Sequence, residues 1–192
     1  SVTISRALTS ITYPANFMLI CSMNPCPCGY FTDKQRECHC TPRQIQNYMS
    51  RVSGPLLDRI DIHLEVPAVK YHELMANKEV QSSEEMRKKV TVARAMQKER
   101  FKGQPSVHSD GQGVMVNALM PPKHMKKYCE MDKPAEVFFH QAMMELGLSA
   151  RGHSKVLKVA RTIADLDESE IIKVEHISEA IQYRSLDRKL WK

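Results

Sequence analysis

Alternation of apolar and polar positions is confined to the first third of the chain, and helical spacing replaces it after Pro67. Val2 to Ile4, the apolar run Phe17 to Met23, and Ile60-Asp61-Ile62-His63-Leu64-Glu65-Val66 each predict a strand, since side chains two apart share one face of a pleated chain. Between the second and third lies Pro42 to Arg51, helical by the spacing of Ile45, Tyr48, Met49 and Val52, with Thr41 as N-cap and Pro42 at the first helical position. Ser53-Gly54-Pro55 breaks that helix, and the turn Leu56 to Arg59 feeds the third strand. Strand, helix and strand together predict an α/β layer over residues 1–70.

The rest predicts an all-helical bundle of about five elements over residues 82–192, with the boundary between Pro67 and Ser82. Ser82 and Glu85 form a capping box for a helix carrying Met86, Val90, Ala93, Met96 and Gln97 towards Phe101, ended by Gly103. Gln104 to Gly113 reads as a loop. Pro121 and Pro122 open a short helix, Asp132 and Pro134 start one that stops at Gly147, Ser149 caps the next, and Val174 to Arg188 forms the last.

Composition narrows the class. With 192 residues, 42% hydrophobic and 26% charged, the chain reads as globular, and no stretch approaches the roughly eighteen apolar residues of a membrane span. No secretory signal is visible, so a reducing cytoplasm is the expected compartment. A net charge of +6 permits an acidic partner such as DNA without demonstrating one, and each basic run reads by default as a solvated helix face. The twelve methionines read as core filler.

The sharpest chemistry is a cluster of four cysteines, Cys26-Pro27-Cys28 and Cys38-His39-Cys40, separated by a polar loop from Gly29 to Glu37. Two cysteine pairs on short hairpins can supply the four thiolates of a tetrahedral zinc site, although ribbon-type sites usually leave two residues between paired cysteines and here there is one. Four protein ligands leave no place for an activated water, so such a metal is structural and His39 is a spare. Disulfides or free thiols are the alternative. Cys21 and Cys129 stand alone and read as buried small hydrophobes.

Several segments carry a resemblance. Tyr13-Pro14-Ala15-Asn16-Phe17-Met18-Leu19-Ile20, Met23-Asn24-Pro25-Cys26-Pro27-Cys28-Gly29-Tyr30, Ser53-Gly54-Pro55-Leu56-Leu57-Asp58-Arg59-Ile60-Asp61, Leu148 to Gly152, Ala160 to Leu166 and Glu179 to Arg184 together resemble the magnesium-chelatase-like AAA+ ATPases, in the branch of YifB and ComM. The resemblance implies the C-terminal strands of an incomplete AAA+ P-loop domain carrying the cysteine insertion, followed by that family's helical lid. It implies a complete protein that works with ATP and Mg2+ in a ring, a hexamer by that likeness, and that remodels DNA as a branch-migration helicase.

The same resemblance implies roles for three residues. Asn24 follows an apolar strand, where α/β sheets place their ligands, and takes the sensor 1 position, orienting the attacking water; as a plain sequence feature it starts the turn into Pro25. Arg59 takes the arginine-finger position, offered to a neighbouring subunit's nucleotide; its other reading is an ion pair with Asp58 or Asp61. Arg151, just inside a helix capped by Ser149, takes the sensor 2 position, and a cation at that end is poorly matched to the helix dipole but well placed for a phosphate. Arg6 and Arg51 are weaker candidates, and Arg161 with Asp165, four apart, reads as a local ion pair. Neither G-x-x-x-x-G-K-[ST] nor a strand ending in Asp-Glu occurs, so the expectation is a C-terminal fragment that does not hydrolyse ATP alone. The rival classes are a zinc-dependent module that binds nucleic acid or protein without catalysis, and a scaffold that only mediates assembly.

Overall fold

A computed structural model describes residues 1–6, 9–15, 17–67, 81–104 and 116–184. These mix helices with one small sheet and fall into two compact units, Ser1–Met49 and Ser50–Lys192.

The first unit opens with the expected strand, β1 (Val2–Arg6), paired antiparallel with β2 (Thr9–Tyr13), which periodicity does not reveal. Register sets Ile4 opposite Ile11 on one face, while the other face pairs hydroxyls, Thr3 with Thr12 at 2.9 Å and Ser5 with Ser10 at 2.8 Å. Helix α1 (Pro42–Met49) starts as expected: the Gln44 N–H donates to Thr41 Oγ1 at 3.3 Å and the Thr41 N–H donates to Gln44 Oε1 at 2.8 Å.

Two strand expectations are corrected. Residues 17–23 and 60–66 form no strand and are largely exposed, with Phe17 at 73%, Ile20 at 81% and Val66 at 84%. Apolar period-2 patterning prepares a chain for a sheet, but a strand exists only where a neighbouring strand takes its N–H and C=O groups, and no strand among the described residues pairs with either segment. The α/β layer therefore reduces to the hairpin within the described residues. Cys21 is corrected for the same reason, since it lies exposed in the unpaired run.

In the second unit α2 (Gly54–Leu57) turns at Ser53-Gly54-Pro55 and buries Leu57. The five expected helices follow: α3 (Ser83–Arg100), α4 (Pro122–Tyr128), α5 (Lys133–Leu146), α6 (Ala150–Leu166) and α7 (Val174–Gln182), with a 3-10 turn at Asn117–Leu119. The predicted caps are present. Ser82 and Glu85 complete their box, Asp132 accepts from the Ala135 N–H at 2.8 Å, and Ser149 accepts from the Gly152 N–H at 3.0 Å. Gly147 ends α5 at φ +59, a left-handed conformation that a side chain would strain. Apart from Gln104, the loop expected over 104–113 lies outside the described residues, as does most of the 67–82 boundary; the last helix, expected to run to Arg188, ends at Gln182 with Tyr183 and Arg184 in a turn, and 185–188 lie outside the described residues.

Helix α6 is the centre of the bundle. Its buried positions, including Gly152, Val156, Ala160, Ile163 and Ala164, recur at helical spacing and pack with Ala135 and Phe139 of α5 and with Ile177 and Ala180 of α7. Met120, Met125 and Cys129 fill the remaining core, and burial pushes the Cys129 thiol up to about 11; the expectation of methionine as core filler holds for Met120 and Met125 but is corrected for Met18, Met23, Met86 and Met144, which are exposed.

One part of this core is ionic. Asp165, 0% exposed, accepts from Arg100 Nη1 at 2.7 Å, from Arg161 Nε at 3.1 Å and from Asn117 Nδ2 at 2.8 Å. Arg161, 1% exposed, also donates to the Glu170 carbonyl at 2.7 Å and to the Ser169 carbonyl. The local Arg161–Asp165 pair expected from spacing is thus the buried hub that joins α3 to α6. Burial lowers the Arg161 pKa, and the adjacent Asp165 carboxylate opposes that shift.

Candidate metal centre and cationic cleft

In the first unit, Cys26, Cys28, Cys38 and Cys40 bring their sulfurs within 4.8 Å of one another. Measured separations are 3.3 Å for Cys26–Cys28, 3.7 Å for Cys26–Cys38 and 3.5 Å for Cys28–Cys38. A disulfide holds its sulfurs near 2 Å, whereas a tetrahedral ion with metal–sulfur bonds of about 2.3 Å spaces them by about 3.8 Å. The cluster matches the second, and all six cysteines are free.

The single residue between paired cysteines makes a tight knuckle. Gly29 donates to the Cys26 carbonyl at 3.0 Å with φ +86, a conformation that favours glycine, and this turn closes the Cys26–Cys28 knuckle. The Tyr30 N–H, against the cost of burial, holds the Cys28 thiol down at about 6. The Cys40 N–H favours the Cys38 thiolate, but burial and the Cys28 and Cys26 sulfurs outweigh it and push that thiol up to about 12. Cys40 is raised likewise, its backbone donor Cys28 being outweighed by burial and the same neighbours. Crowded thiolates repel, and a bound dication would let all four ionise together. His39 is exposed and outside the cluster. Asn24 is exposed too, with its side chain 3.7 Å from where a Cβ on Gly29 would sit.

The second unit places two of the predicted arginines in one cleft. Arg59 and Arg151 line a shallow opening of about 310 Å³, together with Asp61, Ser154, Lys155 and Lys158. The reason is local folding. Arg59 follows the α2 turn, and Arg151, Lys155 and Lys158 project at positions three and four apart from the first turns of α6. Lys155 Nζ donates to the Arg59 carbonyl and to Asp61 Oδ1 at 2.7 Å, fastening the Arg59 turn to α6. Lys158 Nζ donates to the Ala118 carbonyl at 2.8 Å, and burial lowers its pKa.

Both arginines are engaged internally. Arg151 Nη1 donates to Asp58 Oδ2 at 2.9 Å, and Arg59 Nη1 donates to the Pro55 carbonyl at 2.5 Å. The ion pair expected for Arg59 is instead made by its neighbours: Asp58 with Arg151, and Asp61 with Lys155. Arg184 from the end of α7 anchors the same turn through the Ile60 carbonyl at 2.6 Å. Sequence reasoning singles out none of Lys155, Lys158 and Arg184. The i, i+4, i+7 run of cations Arg151, Lys155 and Lys158 is the available signal, but at the sequence level it is indistinguishable from a solvated face.

A family model described as "Magnesium chelatase, subunit ChlI C-terminal" matches residues 80–184, and one described as "Magnesium chelatase, subunit ChlI" matches residues 1–74. The chain belongs to the magnesium-chelatase family. Among its relatives, YifB of Escherichia coli K12 is 36% identical over 189 residues, 97% of this chain and 34% of YifB. Competence protein ComM of Haemophilus influenzae is 35% identical over 192 residues, 100% of this chain and 35% of ComM. Rv2897c of Mycobacterium tuberculosis is 27% identical over 172 residues, 90% of this chain and 32% of that protein. The chain thus spans about a third of the length of these relatives. The resemblance carried by the Asn24-Pro25-Cys26 and Leu57-Asp58-Arg59 segments is borne out at the level of the family. No helix among the described residues is long and apolar enough to cross a membrane.

Proposed function

We propose that this magnesium-chelatase family chain is the nucleotide-sensing part of an AAA+ ATPase, which couples ATP binding and hydrolysis in a ring, a hexamer by analogy, to work on DNA in the cytoplasm. Residues 1–70 would be the C-terminal part of the α/β ATPase domain with its four-cysteine insertion at 26–40, and residues 82–192 the helical lid. The remainder of the longer protein would supply the P-loop, the Mg2+ ligands and the strands that pair with 17–23 and 60–66.

The observation that carries this reading is the shared cleft of Arg59 and Arg151. Two guanidiniums with two lysines behind them suit a triphosphate, since charge developing on the transferred phosphoryl group is spread over several oxygens. On this reading Arg59 is the finger, offered to a neighbouring subunit's nucleotide, and Arg151 the sensor, and a bound phosphate would draw each from its internal partner, the Pro55 carbonyl and Asp58. Asn24 is the water-orienting sensor 1 residue. Cys26, Cys28, Cys38 and Cys40 hold a structural Zn2+ that shapes the turn after Asn24. DNA as the moved substrate rests on likeness to the competence protein ComM and on the basic balance of the chain.

In the full-length protein Arg59→Ala should lower ATP turnover by about 10³-fold or more while ATP still binds. Retained turnover sinks the finger assignment. The four-cysteine cluster keeps a second reading open, a zinc-dependent binding module without catalysis; a full-length protein that never hydrolyses ATP would favour it.

A further inference from the structure

Helix α3 divides into two parts. Its C-terminal end is anchored by Ala93, Gln97 and the Arg100–Asp165 pair, whereas residues 83–92 are exposed around their whole circumference. The anchor is rigid, because both carboxylate oxygens of Asp165 are held by Arg100 and the charges are buried. The first half of α3 therefore stands on a fixed base.

The charge of this segment is unbalanced. Between Ser82 and Lys102 stand seven lysines and arginines against three glutamates, so this stretch holds four of the chain's six net positive charges. All three glutamates are engaged: Glu84 with Lys88 at 3.0 Å, Glu99 with Lys102 at 3.2 Å, and Glu85 with the Ser82 N–H at 2.8 Å. Arg87, Lys89, Arg94 and Lys98 are left with no ion pair among the described residues; Lys89 acts on the carboxylate of Glu85 one turn before it, and the other three form a row. Spaced seven and four apart, they lie along one side of the helix with Thr91 between them, on the order of 16 Å from end to end. Arg94 and Lys98, like charges at i, i+4, repel each other in the free protein, which an anionic partner would relieve.

We infer that the Arg87–Arg94–Lys98 side of α3 docks the phosphodiester backbone of a nucleic acid. A rigid row of cations suits a linear polyanion: its length matches about five base-pair steps, and each neutralised phosphate releases counterions. Two of the three cations are arginines, whose planar forks grip phosphate oxygens in pairs. The only large apolar side chains exposed on this half of the helix among the described residues, Met86, Val90 and Val92, are scattered round it with cations between them and form no continuous apolar stripe to enter a bilayer, so nucleic acid fits the row better than a lipid surface. The inference rests on the DNA-directed reading above but not on its ATPase element.

The test is fluorescence anisotropy of the chain, without nucleotide, on a labelled random-sequence duplex of about 20 base pairs across about 50–200 mM salt. Arg87→Gln/Arg94→Gln/Lys98→Gln should cut affinity at least about tenfold and reduce the salt slope by about 2.7, at 0.9 per contact. Glutamine keeps the helix, which circular dichroism verifies. A control removes the same charge from α4, as Lys123→Gln/Lys126→Gln/Lys127→Gln, and should change the slope far less. Equal losses in the two variants, or unchanged binding in the first, overturn the α3 surface while leaving DNA as substrate. No binding by the unmodified chain, or binding only to anionic phospholipid vesicles, overturns it together with the DNA reading, and leaves the phosphate cleft untouched.

Discussion

Residues 1–49 and 50–192 reach local order by different physical routes. Among the described residues of the first unit only Cys26 is buried, whereas the second buries a continuous cluster around α6 and an ionic hub inside it. A segment that buries almost no apolar surface gains little from the hydrophobic effect, so its order at 26–40 rests on its tight local turns and, on the reading proposed above, on metal ligation. The bundle needs no such staple. Its large buried side chains each contribute roughly 1.5–3 kcal/mol. On that reading order in this chain has two independent sources, and perturbing one should spare the other.

The largest effect should come from the metal. If the four thiols hold zinc, Cys26→Ser/Cys38→Ser lowers the metal content from about one ion per chain to none, since a structural zinc site contributes on the order of 10–16 kcal/mol of apparent binding energy. Residues 24–40 should become open to proteolysis while the helical circular dichroism of the bundle stays. Metal-free protein with a protected 24–40 segment would remove ligation as the source of order there.

Next is the ionic hub. Asp165→Ala leaves Arg100 and Arg161 in the core without their shared carboxylate, an expected loss of about 3–5 kcal/mol in urea unfolding of the bundle, with metal content unchanged. A loss below about 1 kcal/mol would mean that water reaches the hub.

Smaller is the cap of α5. Asp132→Ala removes the acceptor of the Ala135 N–H and should cost about 1 kcal/mol by the same unfolding measurement.

Least is a pH effect. The Ser82 N–H and side chain hold the Glu85 carboxyl below the usual carboxylate range. A depressed folded pKa means that the stabilisation is present at neutral pH and fades as pH falls below about 4.3, the unfolded value. Helicity of α3 should therefore drop slightly on acidification, and Glu85→Gln, which keeps an acceptor for the Ser82 N–H but does not titrate, should remove most of that drop. An identical acid response in that variant would separate the cap from the titration.

Much of the second unit is legible in the sequence, because its signals are local. Ser82 with Glu85, Asp132, Gly147 and Ser149 mark helix ends through bonds made within a few residues, and all four ends form where these residues predict them. The four-cysteine cluster is equally legible, since two short knuckles bring the thiols together within fifteen residues. The hairpin escapes a reading by periodicity because β2, Thr9–Tyr13, is made mostly of hydroxyl and β-branched residues without apolar contrast. The runs 17–23 and 60–66 fail as strands because their pattern is necessary for a sheet and not sufficient for one.

What the amino-acid order determined by itself is therefore what short-range chemistry decides: helix starts and stops, the thiol cluster, and membership of a family whose segments recur in order. Only the tertiary structure decided which distant residues meet. It made the Arg161–Asp165 pair a buried hub by adding Arg100 and Asn117, and it set Arg59 and Arg151, far apart in the chain, on one cleft through Lys155. Such meetings depend on how helices pack, and packing is set by the sum of many side-chain volumes, which no single motif encodes.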